Sequence, residues 1–97
     1  RTIEEGQEAA RICIINTLSI LHHYLGDLNK IENVVKVLGF VASAPNFNDQ
    51  PKVINGGSQL LIDVFGEKGR HARSAIGTNE LPGNISVEIE AIFEVKD

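Results

Sequence analysis

A single cysteine, Cys13, leaves no partner for an intrachain disulfide. No apolar run approaches the ~20 residues needed to cross a bilayer, so no membrane partner is expected. Positive charge is also scarce. Lysine and arginine number 9 against 13 aspartates and glutamates, giving a net charge of -4 and a pI near 5.3. Phosphate backbones are bound largely through clustered Lys and Arg, so a nucleic-acid partner is not expected either. Low-complexity stretches and internal repeats are missing, as are a zinc-ligand spacing, a dinucleotide fingerprint and a Ser-His-Asp order. No cofactor or metal is therefore expected, and the cytosol or an organelle matrix suits the single thiol. The chain begins at Arg1 and enters a helix signal at once, from which upstream residues are expected to be missing.

What remains is one domain spanning residues 1–97, with 42% hydrophobic and 23% charged residues. Thr2-Ile3-Glu4-Glu5 has the form of a capping box, and Gly26 supplies a left-handed C-terminal cap. Between them Ala10, Cys13, Ile14, Thr17, Leu21, Tyr24 and Leu25 recur at helical steps, predicting a helix over about residues 3–25. The run from Ile31 to Ala44 is β-branched and apolar at alternating positions of both faces, as in a strand covered on both sides. One helical layer cannot cover two faces, and a symmetric homo-oligomer is the economical second cover. A turn is expected over Pro45 to Asp49, followed by a second helix capped by Asn48 or Asp49, with Pro51 in its first turn and Gly66 at its end. Gly56 and Gly57 lie inside that helix at about 1 kcal/mol each against Ala, which points to close backbone approach by a neighbour. Two further strands are expected around His71 to Gly77 and Ile85 to Val95. In the last, Ile85, Val87, Ile89, Ala91, Phe93 and Val95 alternate with a face carrying Glu88 and Glu90 that points away from the helices. The order helix, strand, helix, strand, strand gives an α+β two-layer sandwich.

Lys68, Arg70, His71 and Arg73 concentrate positive charge in six positions of an acidic chain. Lys68 and Arg70 read as a solvated loop. Arg73 lies within a strand, where a buried guanidinium would need a carboxylate partner, either Glu88 or a bound ligand. A structural ion pair and a catalytic pair stand equally open at this point. His22 and His23 are adjacent on a helix and cannot share a metal, and Cys13 among Ile12, Ile14 and Ile15 reads as inert packing. Gly56-Gly57-Ser58 falls inside a helix and lacks the strand-to-helix turn of a phosphate-binding loop.

The segment His71-Ala72-Arg73-Ser74-Ala75, then Leu81-Pro82, then Val87-Glu88-Ile89-Glu90-Ala91-Ile92, resembles the RidA or YjgF family of reactive-intermediate deaminases. Gln7, Asn16, Leu25-Gly26-Asp27-Leu28, Val37-Leu38-Gly39-Phe40-Val41, Phe47 and Phe65-Gly66 extend the similarity over roughly residues 6–95. The resemblance implies a chorismate-mutase-like α+β fold, with a mixed sheet packed on two helices and a homotrimer whose sheets form a central barrel. It also implies cofactor-free hydrolysis of enamines or imines of the 2-aminoacrylate type to a keto acid and ammonia. Arg73 would clamp the substrate carboxylate and Glu88 would orient the attacking water. Ala75, where the family often has Cys, and Ser58, where Asn is expected, would join Arg73 in binding the substrate. The family's strands before the first helix are expected to be absent from these 97 residues. The competing expectations are a non-catalytic trimer that binds small carboxylates and, behind it, an endoribonuclease or translation inhibitor.

Overall fold

Thr2 and Glu5 close the capping box: the Thr2 amide donates to Glu5 Oε1 at 2.8 Å and the Glu5 amide donates to Thr2 Oγ1 at 3.1 Å. Such a cap contributes about 1 kcal/mol and starts helix α1, Ile3–Leu25. Gly26 ends it with φ of 82°, a left-handed conformation that other residues adopt at a penalty, its amide donating to the His22 carbonyl. The computed structural model describes residues 2–44 and 47–96, without the side chain of Asn84. After a 3-10 turn at Leu28–Lys30 the chain forms β1, Ile31–Ala42, and then helix α2, Gln50–Phe65. A second 3-10 turn at Gly66–Gly69 leads to β2, Ala72–Thr78, and a third at Pro82–Asn84 to β3, Val87–Val95. The turn expected over Pro45 to Asp49 includes Pro45 and Asn46, which lie outside the described residues.

The sheet has the order β2-β1-β3, with β1 parallel to β2 and antiparallel to β3. The chain is therefore an α+β two-layer sandwich with a mixed sheet, as its pattern predicts. Both helices pack on one face, burying Ala10, Ile14 and Leu18 of α1 and Val53, Ile54 and Leu61 of α2 against Val34, Val37, Val41 and Val87. Fully burying an aliphatic side chain of this size contributes about 1.5–3 kcal/mol, so this layer dominates the fold's stability. The expected α1 stripe needs one correction. Leu18 belongs to the core, whereas Tyr24 is 84% exposed, because the core ends before the last helical turn.

Gly56 and Gly57 confirm the expected close approach. A Cβ at Gly56 would overlap the backbone carbonyl of Gln7, and one at Gly57 would lie 2.8 Å from the Ile14 side chain. Gln7 fastens the same junction by donating from Nε2 to the Lys52 carbonyl at 2.9 Å.

Strand β1 carries register shifts between Ile31 and Asn33 and between Val34 and Lys36. These shifts turn Ile31, Val34 and Val37, spaced by three, onto the helix side, where all are buried. Beyond them regular alternation resumes. Val37, Gly39 and Val41 are buried under the helices, while Leu38, Phe40 and Ala42 lie on the other face. No element among the described residues covers that second face in the single chain. Ile76 and Ile92 are 47% and 58% exposed there.

Candidate functional site

Strand β2 is an edge strand, and its register places Arg73 opposite Val37, on the helix side of the sheet. The guanidinium is consequently exposed at the rim, so the burial penalty anticipated for a strand arginine does not arise. Helix α2 crosses this rim and presents Asn55 and Ser58, one turn apart. Arg73 Nη1 donates to Asn55 Oδ1 and, at 3.3 Å, to Ser58 Oγ. Both acceptors are neutral. Among the described residues no carboxylate forms an ion pair with Arg73, whereas Arg70 is paired with Glu67 at 3.0 Å.

Ser58 is only 7% exposed and is held from the other side by His71, whose Nε2 lies 2.9 Å from Ser58 Oγ. His71 Nδ1 donates to the Gly69 carbonyl at 2.6 Å, an oxygen that can only accept. The 3-10 turn at Gly66–Gly69 presents that carbonyl, and Gly69 fits because a Cβ there would overlap the Leu61 backbone. Asn55, Ser58, Gln59, Ile62, Arg70, His71 and Arg73 line an open groove of about 580 Å³. A groove of about 550 Å³ between α1 and α2 is equally large, but its Arg11 is already matched with Glu8 at 3.7 Å. Of these two grooves, that of Arg73 holds an arginine with no ion pair among the described residues.

Glu88 stands opposite Phe40 on β3, so its backbone register puts it on the face away from the helices, as the alternation predicts. Arg73 and Glu88 thus occupy opposite edge strands and opposite faces of the sheet. Within one chain they form no ion pair, and Arg73's partners are Asn55 and Ser58 instead. Ala75 pairs with Gly39 on the helix side and packs against the core, two residues along from Arg73.

Cys13 is half-buried and donates weakly from Sγ to the Val87 carbonyl at 3.6 Å. Burial, and secondarily the negative charge of Glu88, raise its pKa above the ordinary thiol range, keeping it protonated. That is the behaviour of packing, not of a nucleophile. His22 and His23 are exposed, and no group of three potential ligands among the described residues is placed to hold a metal ion. No helix among them is long and apolar enough to cross a membrane.

Asn55 and the Ser58–His71 contact were not legible in the linear sequence. Their signal was present only as spacing, with Asn55 and Ser58 at i and i+3 on a helix and His71 and Arg73 at i and i+2 near the start of a strand.

Two helices on one face of a mixed sheet, with an uncompensated arginine at the rim beneath the second helix, define an α+β protein of the chorismate-mutase-like type. Comparison with known proteins gives the family. The chain belongs to the YjgF/chorismate mutase-like, putative endoribonuclease family, whose model matches residues 1–94. It is 45% identical over 97 residues to Protein TCP17 of Trypanosoma cruzi, covering 99% of this chain and 61% of that protein. The crystal structure of Atu1372 from Agrobacterium tumefaciens, a protein of unknown function, superposes with a TM-score of 0.97 at 49% identity, covering 100% of this chain and 62% of the other. A structure from Shewanella oneidensis described as a putative endoribonuclease superposes with a TM-score of 0.93 at 28% identity, covering 98% and 63%. The chain thus spans about three-fifths of the length of these relatives.

Proposed function

We propose that the chain forms a homotrimer and hydrolyses carboxylate-bearing enamines or imines of the 2-aminoacrylate type to a keto acid and ammonia. The observation that carries this reading is the Arg73 guanidinium, which meets the neutral oxygens of Asn55 and Ser58 and, among the described residues, forms no ion pair with an acid. Its planar fork suits a carboxylate bound through two parallel hydrogen bonds. Glu88 cannot serve that substrate from the same chain, because it lies on the other face of the sheet. We therefore place the acid of a second copy beside Arg73, in a site shared between subunits.

In this site the enamine tautomerises to the imine, the Glu88 carboxylate of the neighbouring copy takes a proton from water, and the oxygen adds to the imine carbon. Glu88 gives that proton to the nitrogen, completing the carbinolamine, then takes the hydroxyl proton and passes it to the nitrogen as the C–N bond breaks, releasing ammonia and the keto acid. Acid–base assistance of this kind contributes about 10²–10⁴-fold, and holding the carboxylate fixes the approach of the water. Ala75 adds no thiol, so the chemistry needs none. A cytosolic or matrix location accords with the single protonated thiol.

Supplying 2-aminoacrylate from an enzyme that generates it and following keto-acid release tests the assignment. Acceleration over buffer is expected, and it should vanish in Arg73→Ala and Glu88→Gln. Keto-acid binding that depends on Arg73 but brings no acceleration would instead mark a carboxylate-binding protein. RNA cleavage, the activity named for the Shewanella relative and in the family's description, is not expected here given the net charge of -4.

A further inference from the structure

The hydrogen bonds around Ser58 have a direction. Because the Gly69 carbonyl can only accept, His71 Nδ1 carries a proton, and in the neutral imidazole Nε2 is left as an acceptor. The Ser58 hydroxyl then donates to Nε2 across 2.9 Å, leaving its lone pairs for Arg73 Nη1 at 3.3 Å and for the groove. A hydroxyl bonded to an imidazole, which is itself oriented by a third group, is the arrangement that activates a nucleophile. The positive charge of Arg73 beside the same oxygen supplies the third requirement, stabilisation of the oxyanion that forms next to it.

A purely structural role for this triplet is the competing account. A serine inside a helix usually satisfies its hydroxyl by bonding back to a carbonyl of the preceding turn. Thr17 does so, donating to the Cys13 carbonyl at 2.9 Å. Ser58 is instead drawn off its helix toward a side-chain base, at the wall of an open groove.

We infer that Ser58 is a nucleophile, with His71 as its general base, for acyl transfer from short-chain oxygen esters. Ser58 Oγ attacks the acyl carbon while its proton passes to His71 Nε2, and Arg73 faces the resulting oxyanion. The intermediate collapses by breaking the bond to the alcohol oxygen, which takes the proton from Nε2. Water then adds to the acyl-serine, its proton passing to Nε2. As the bond to Ser58 Oγ breaks, that oxygen recovers the proton and the carboxylic acid departs. Short chains are specified because the lining is polar apart from Ile62. This activity does not depend on the enamine hydrolase assignment, in which His71 has no part.

The probe is an alkyl fluorophosphonate, which reacts with base-activated hydroxyls, followed by intact mass and peptide mapping. A 4-nitrophenyl acetate burst serves as the second readout. The expected result is one adduct, on Ser58, formed at least about 100-fold more slowly in His71→Gln, the lower end of what a general base supplies. Absence of any adduct on the wild-type protein, an adduct mapping elsewhere, or equal labelling of His71→Gln would overturn the assignment. Mapping on the wild-type protein decides the matter even if a variant does not fold.

Discussion

Among the described residues Arg73 has no acidic partner, because of where β2 lies. On a central strand the same side chain would be sealed beneath a helix and would demand an acid, whereas at the rim water and two neutral oxygens hold it. Removing it should therefore leave folding nearly untouched. Arg73→Ala is expected to change unfolding free energy by no more than about 0.5 kcal/mol in a urea titration, while abolishing keto-acid binding measured by calorimetry. Arg73→Lys should restore little, since an ammonium lacks the fork. Cys13 gives a second prediction at this scale. Its pKa is raised by burial and by the charge of Glu88, so alkylation by iodoacetamide should be slow at neutral pH. Glu88→Gln removes the smaller of the two causes, and the rate-against-pH curve should move to lower pH without reaching that of a free thiol. An unmoved curve would mean that Glu88 does not act on Cys13.

Among the elements, the junction of α1 and α2 shows which of two opposed effects prevails. Alanine at position 56 would gain about 1 kcal/mol in helix propensity. Its Cβ would meet backbone at Gln7, which cannot rotate aside, and separating packed helices costs about 1–3 kcal/mol or more. Gly56→Ala should therefore lower the urea midpoint, and a raised midpoint would show that the helices part freely. This junction was legible beforehand, because two adjacent glycines in an otherwise amphipathic helix have few other uses. The capping box, the Gly26 terminus and the alternation of β3 were legible for the same reason: each is set by local stereochemistry. Strand β1 was less transparent. Its two register shifts send residues three apart to one side, and nothing in the run Ile31-Glu32-Asn33-Val34-Val35 marks where pairing slips. The contacts of Arg73 were hidden further still, since Asn55, Ser58 and His71 converge only once β2 pairs in parallel with β1 beneath α2. The motif could point to Arg73 and Glu88 as a pair but could not reveal that they face opposite ways.

At the scale of the whole molecule, a sheet covered on one side only leaves Leu38, Phe40, Ile76 and Ile92 on a face shared with Glu88. Assembly of copies through that face would bury it. Ile92 is already 58% exposed in the single chain, so Ile92→Lys should leave the fold intact. In sedimentation velocity the same variant should shift the protein from an assembled species to a monomer, and an unchanged sedimentation coefficient would exclude this face as the interface. On the proposed reading, Arg73 on one edge and Glu88 on the other would make a site where two copies meet. The most direct measurement mixes the inactive Arg73→Ala and Glu88→Gln variants, dissociates and reassembles them, and assays hydrolysis of 2-aminoacrylate. Random assortment at sites that draw one residue from each of two copies predicts recovery of about a quarter of wild-type activity. No recovery from demonstrably mixed assemblies would contradict the shared site.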